Sequence, residues 1–345
     1  MFLSMRKHLA AACLAILALS GSAQAANTTL TVASWGGKID ETLKKAMDGF
    51  EQQFGVKIRW VPGNSTENAA KVVATKANPE FDVVMLDDVG LVAVSDMKDV
   101  ITKLDLNILT NYADLRPQAK FPSMDGVPVG FNFLGIFYNE EEFKKRGWSP
   151  PTTWNDLYRA EFCNSIGFMH PNLSYTINLL VLFAGGDVNK VPDTIEQLAK
   201  LKGCITTLEP SASKLEEKLQ LGEYLVGVNG GIRVLPLALA GYPVRFVIPS
   251  EGSTLSSTTA SVVRGGKEKL AQEFLNWLVS PRSQQVLMEE AFYVPANSKV
   301  DIPQKLAEMG MPGAEALTHA VDLDRHAIIE HRREWARKLE RALAP

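Results

Sequence analysis

TLTVASWGG, residues 29–37, decides how the rest of the chain is read. Thr29, Val32 and Ala33 suit a strand of a parallel sheet buried on both faces, and the run breaks at Gly36-Gly37 directly before a helix-forming segment. Trp35 then stands at the carboxyl end of a strand, where open α/β sheets hold their ligands. The paired glycines let backbone approach whatever is bound. The following helix presents free N–H groups and the positive end of its dipole. Trp35 is either an aromatic platform for a ligand or a cap on the core, and the stretch alone supports both.

Outward from this strand the pattern repeats. Ile39, Leu43, Met47, Phe50 and Phe54 fall on one face of a helix expected over residues 40–54, and Gly55 is a C-terminal stop. Residues 56–61 alternate as a strand, Pro62-Gly63-Asn64-Ser65 is a turn, and 67–77 is a second helix. Residues 81–86 form another buried strand that ends at Asp87-Asp88. The order β-α-β-α-β predicts a parallel sheet with helices on both faces. The β-rich run VPVGFNFLGIFYN (127–139), which contains Asn132, predicts a crossover into a second lobe. That lobe reads as a second α/β set over about residues 133–248, with strands at 165–169, 224–228 and 244–248 and helices at 154–159, 176–184, 195–201, 213–221 and 232–240. Ser261-Val262-Val263 predicts a return strand, so the first lobe is expected to comprise 26–132 and about 249–300, with helices at 268–278 and 283–291. Residues 301–345 are expected to form a charged helical tail with His326 and His331 on a solvated face.

Bulk properties narrow the class. A chain of 345 residues suffices for two domains. A net charge of −3 offers no basic field for nucleic acid or an anionic membrane surface. Residues 1–25 read as a secretory signal: Arg6, Lys7 and His8, then an apolar segment, then Ala23-Gln24-Ala25 with cleavage after Ala25. Cys13 lies inside the apolar segment, a poor setting for lipid attachment, so a soluble exported protein is expected. Cys163 and Cys204 remain after export and are either a disulfide or two buried thiols.

No Walker phosphate loop, G-x-G-x-x-G fingerprint or G-x-S-x-G elbow is present. The five histidines are scattered without metal-ligand spacing, and His170 has no nucleophile beside it. A binding protein with no cofactor, metal or catalytic residue is expected. What remains is a set of polar and aromatic residues at strand ends: Trp35, Asp87 and Asp88 in the first lobe, and Ser174, Tyr175, Asn229 and Arg233 in the second. A carboxylate at the end of an apolar strand needs a partner, so Asp87 and Asp88 are either ligand acids or helix N-caps. Arg233 sits in a helix's first turn, where the dipole opposes a cation. A bound carboxylate, a neighbouring acid or plain exposure would each offset that.

Several of these stretches are familiar together: SWGG at 34–37, FDVV at 81–84, G-x-x-Y-N at 135–139, PPTTWNDLY at 150–158, GEYLVGVNGG at 222–231, PSEG at 249–252 and AQEFLNWLVSPRSQQ at 271–285. In this order they resemble the extracellular solute-binding proteins of bacterial ABC importers over essentially the whole mature chain, most closely the spermidine/putrescine-binding branch. The resemblance implies a two-lobed α/β periplasmic binding protein fold (type II), with crossing strands, a solute in the cleft and hinge closure. It further implies docking of the closed form on a membrane permease, served by its ATPase. A periplasmic monomer is expected.

The departures from that branch bear on the solute. Polyamine binders carry acidic residues at the positions of Pro171 and Ser174, and a Trp-x-Asp where this chain has Ser256-Ser257-Thr258. Without these clamps a multivalent cation would lack charge partners in a dry cleft, at a cost of several kcal/mol. Asp87 or Asp88 could take an amine, and Trp35 and Tyr175 a cation face or an apolar body. Arg233, Ser256 and Thr258 could take a carboxylate. The expected solute is a small amine carrying an acid group, such as an amino-acid-like molecule; a polyamine is the alternative. An exported enzyme on the same frame, using Asp87, Asp88 or His170, and a sensor with a different partner are the other classes weighed.

Overall fold

Strand β1 (Thr28–Ser34) pairs in parallel with β2 (Val56–Pro62) and β3 (Val83–Asp87), as the β-α-β-α-β reading requires. The computed structural model describes residues 28–321 and 323–344, so the expected signal segment lies outside it. The single helix expected over 40–54 is two helices, α1 (Gly37–Ala46) and α2 (Phe50–Phe54), because Gly49 between them takes a left-handed φ of 86°. Helix α3 (Ser65–Ala74) opens on a capping box: Asn64 Oδ1 accepts from Glu67 N at 3.0 Å, and Glu67 Oε2 accepts from Asn64 N at 2.9 Å. Helix α4 (Asp88–Ser95) follows β3 directly, and β4 (Ile101–Thr102) is a short edge piece.

The chain continues through β5 (Val127–Asn139), α5 (Glu140–Arg146), β6 (Ile166–Met169), α6 (Ser174–Phe183), α7 (Val191–Ala199), β7 (Leu208–Glu209), α8 (Ala212–Gln220), β8 (Val226–Gly230), α9 (Gly231–Leu239) and β9 (Val244–Val247). Then come β10 (Leu255–Val263), α10 (Glu268–Leu278), α11 (Pro281–Ala291), α12 (Gln304–Glu308) and α13 (Arg325–Leu343). The segment expected to be a helix at 154–159 is a 3₁₀ turn, Trp154–Tyr158.

Strand β5 joins the two halves. Its first part, to Phe133, pairs antiparallel with β10, which lies against β3. From Leu134 onward it pairs with β8 and β9, and β6 and β7 extend that second sheet in parallel with β8. The order is therefore β2-β1-β3-β10-β5 and then β5-β8-β6-β7. Between Thr258 and Thr259 the β10–β5 register shifts, a bulge that re-aims side chains where the strands leave the first lobe.

Most of the sequence motifs serve this frame. Asp82 of FDVV is 3% exposed and accepts hydrogen bonds from Thr31 N and Lys267 N, each at 2.7 Å. It ties β1 and the approach to α10 together. In SWGG, Asp40 accepts from Ser34 Oγ at 2.8 Å and Gly36 N at 3.0 Å. Gly36 has φ 76°, and a Cβ there would sit 2.9 Å from Pro62 Cβ, so the turn itself needs the glycine. PPTTWNDLY and PSEG clasp each other through Trp154 Nε1 to Gly252 O at 2.9 Å and Ser250 N to Thr152 O at 2.9 Å. Ser283 Oγ to Ala46 O (2.7 Å) and Gln284 Nε2 to Val129 O (2.8 Å) lock α11 onto the first lobe.

Two cysteines and the tail complete the fold. Cys163 and Cys204 are joined in a disulfide. The tail is helical, and His326 is exposed, but it is not peripheral. Ile328, Trp335, Leu339 and Leu343 on one face of α13 enter the apolar core of the second lobe with Leu180 and Leu198. A stripe at helical spacing is buried because only a packed face repays the ordering of a helix this long.

Candidate functional site

A cavity of about 200 Å³ lies between the carboxyl ends of the two sheets. The passage from β3 into α4 supplies Asp87, Asp88 and Val89, and the crossing strands supply Asn132, Ser256, Ser257 and Thr258. The second lobe contributes Ser174, Tyr175 and Asn178 from α6 and Ile232 from α9; the tail contributes Leu323, Arg325 and Ile328. Four helices thus direct their first turns at one space. The N-cap positions of α6 and α9, Leu173 and Gly230, provide no side-chain cap. Ile232 N of α9 is taken by Asn132 Oδ1, so the first-turn N–H groups of α6 and the dipole ends of both helices make the second-lobe wall receptive to an anion.

The adjacent aspartates have different roles. Asp87 is the N-cap of α4, with Oδ1 accepting from Gly90 N at 2.7 Å, and it remains exposed. Asp88 is buried. Its Oδ1 accepts from Ser257 N (2.7 Å) and Ser257 Oγ (2.8 Å), and its Oδ2 from Arg325 Nη2 (3.1 Å). Burial pushes the Asp88 carboxyl above the usual carboxylate range, while Arg325 and the Ser257 donors pull against it. Asp88 is therefore already committed to protein donors, and Asp87 is the carboxylate that faces the cavity openly.

Asn132 bridges the halves: Nδ2 donates to Tyr175 OH and Oδ1 accepts from Ile232 N, both at 3.2 Å. This approach is possible because residue 230 is glycine; a Cβ there would lie 2.6 Å from Asn132 Nδ2 and 2.7 Å from Tyr175 OH. Burial raises the Tyr175 phenol above its ordinary value, and the Arg233 guanidinium beside it opposes the rise. Ser256 Oγ lies 3.3 Å from Asn132 O, and Thr258 Oγ1 lies 3.2 Å from Tyr293 OH.

The cavity thus gathers Asp87, Asp88, Asn132, Ser174, Tyr175, Ser256 and Thr258 from the expected set. Three expected residues are not among its lining. Trp35 is half-buried and packs against the apolar core. Asn229 is 0% exposed, with Oδ1 accepting from its neighbour Gly230 N at 2.8 Å. Arg233 is balanced by a neighbouring acid, with Nε 3.7 Å from Glu216 Oε1. His170 stands apart, its Nε2 3.3 Å from Glu340 Oε1. The tail residues were not expected. One signal marks Arg325 in the sequence: like Arg233 it occupies a helix's first turn, here capped by Asp324 through Ala327 N at 3.0 Å, where a cation needs a reason to be.

The family model described as "Bacterial extracellular solute-binding protein" matches residues 45–310. The chain belongs to that family. A Salmonella typhi periplasmic protein, proposed to bind 2-aminoethylphosphonate, is 24% identical over 320 residues, 88% of this chain and 90% of its own. The gamma-aminobutyric acid-binding protein of Pseudomonas aeruginosa is 25% identical over 334 residues, 92% of each chain. Among solved structures, the spermidine/putrescine ABC transporter substrate-binding protein of Streptococcus pneumoniae superposes with a TM-score of 0.75 at 18% identity. That superposition covers 92% of this chain and 99% of the other, and it is a likeness of fold. The solute-binding protein therefore has the two-lobed fold that its motifs imply. Its family match ends before α13, so Arg325 is supplied to the cavity from outside the matched region.

Proposed function

We propose that this solute-binding protein receives one small solute bearing both an amine and an acid group, and hands it unchanged to an inner-membrane permease with its ATPase. The carrying observation is the polarity of the cavity. Its second-lobe wall presents the first turn of α6, which has no side-chain cap, and the N-terminal end of α9, with Ser174 beside them, and its first-lobe wall presents the exposed Asp87 carboxylate. An acid group suits the second-lobe wall and an amine the first-lobe wall, with the Ser256 and Thr258 hydroxyls between. A solute that touches both walls stabilises the closed arrangement of the lobes. A volume of about 200 Å³ is below the roughly 300–1,000 Å³ of drug-sized sites, which favours a solute of a few heavy atoms over an extended polyamine. Gamma-aminobutyrate and 2-aminoethylphosphonate, the solutes in the relatives' names, each carry one amine and one acid.

The same proposal includes lobe boundaries near residues 132/133 and 248/249, export with cleavage after Ala25, and action as a periplasmic monomer without catalysis. The test is a thermal-shift and calorimetry panel of gamma-aminobutyrate, 2-aminoethylphosphonate, putrescine and spermidine. An acid-bearing amine at a hundred times its Kd is expected to add about 2.7 kcal/mol of stability and to be recovered unaltered. Asp87→Asn keeps a good cap while removing the charge, and is expected to weaken that binding at least about tenfold. Tighter binding of putrescine or spermidine would return the polyamine alternative, and a converted solute would indicate an enzyme.

A further inference from the structure

We propose that Arg325 fills, from within the chain, the place a second ammonium group would take, and so restricts the site to solutes with a single amine. Two consecutive carboxylates, Asp87 and Asp88, line the cavity, which is the pairing a diamine would need. Asp88, however, already receives a cation: Arg325 Nη2 lies 3.1 Å from its Oδ2, opposite the two Ser257 donors on Oδ1.

The guanidinium is hard to displace for two reasons. The ion pair is largely removed from water, with the Asp88 and Arg325 side chains 10% and 28% exposed. A solute ammonium taking its place would have to separate two part-buried opposite charges that already neutralise each other. The arginine is also held in place, since Nη1 donates to Leu323 O at 2.8 Å. Its helix is anchored in the second-lobe core by Ile328, Trp335 and Leu339. A fixed intramolecular cation therefore competes without the ordering cost that a free diamine meets. Asp87 keeps its outward face for one amine. The inference deepens the amine-and-acid reading and rests on it.

The experiment is calorimetry with putrescine on the full mature chain. Arg325→Gln removes the cation and leaves Asp88 a hydrogen-bond donor; it is expected to bind putrescine at least about tenfold more tightly than the wild type. The double variant Asp88→Asn/Arg325→Gln is expected to lose that gain. Should Arg325→Gln melt too low for calorimetry, the comparison is read as the melting-temperature rise that putrescine causes, which should exceed the wild-type rise. Putrescine affinity unchanged in Arg325→Gln, or a gain that persists in the double variant, overturns the role given to Arg325. A wild type that ignores both gamma-aminobutyrate and 2-aminoethylphosphonate overturns the amine-and-acid reading instead, and the putrescine comparison still decides on Arg325.

Discussion

Glu216 and Arg233 show at the residue scale how a cation at a helix start is tolerated. The dipole of α9 opposes Arg233 in its first turn, and the Glu216 carboxylate 3.7 Å away offsets it. Glu216 meets a cost of its own: burial raises its carboxyl above the ordinary 4.5, and Arg233 only partly restores it. A raised folded-state value means that the native protein holds this proton more tightly than the unfolded chain. The stability it contributes is present below about pH 4.5 and is lost as pH rises through the raised value. Glu216→Gln is therefore expected to gain stability relative to wild type on going from pH 4.5 to pH 7, read from urea midpoints at the two pH values; parallel midpoints would refute it. The aspartate pair shows what was legible. An acid at the end of an apolar strand must find a partner, so both residues stood out in the sequence. The partners of Asp88, Ser257 and Arg325, lie 169 and 237 residues away along the chain, and no local pattern names them.

Among the elements, local signals did well where local physics governs. The stop at Gly55 and the parallel strands of the β-α-β-α-β order follow from neighbouring residues alone. The split of the first helix at Gly49 was missed because apolar spacing runs on through it, while a left-handed glycine ends the hydrogen-bond ladder. Helix α13 has the sequence of a charged tail because its polar face is dense; its buried stripe has meaning only with a second-lobe surface to receive it. The disulfide is a similar long-range device. It joins residues 41 apart, and loop closure of that size accounts for about 4 kcal/mol in the chain-entropy account. Reduction is expected to lower the unfolding free energy by roughly that amount and to leave solute affinity unchanged, since neither cysteine lines the interlobe cavity. An unchanged denaturant midpoint after reduction would contradict this.

At the scale of the whole molecule, two crossing strands join the lobes and Asn132 links them. Its two hydrogen bonds, to Tyr175 and to the start of α9, are worth about 1 kcal/mol each. Asn132→Ala is expected to favour the open arrangement, enlarging the solute-free radius of gyration in X-ray scattering and weakening solute binding roughly tenfold through the smaller closed population. Identical scattering curves for variant and wild type would remove Asn132 from that role. Sequence alone determined the β-α-β-α-β order at the start of the chain, the second α/β set, the crossover at 127–139 and the family resemblance. The first three rest on side-chain periodicity and turn chemistry, which act between neighbours, and the resemblance rests on the motifs and their order. Tertiary structure decided which strand-end residues share the cavity: Asp87 opens to it, Asp88 is closed by Arg325, Asn229 is buried, and Trp35 packs half-buried against the core. Periodicity tells which face of an element is buried, but not which distant surface covers it, and the site is built from those distant meetings.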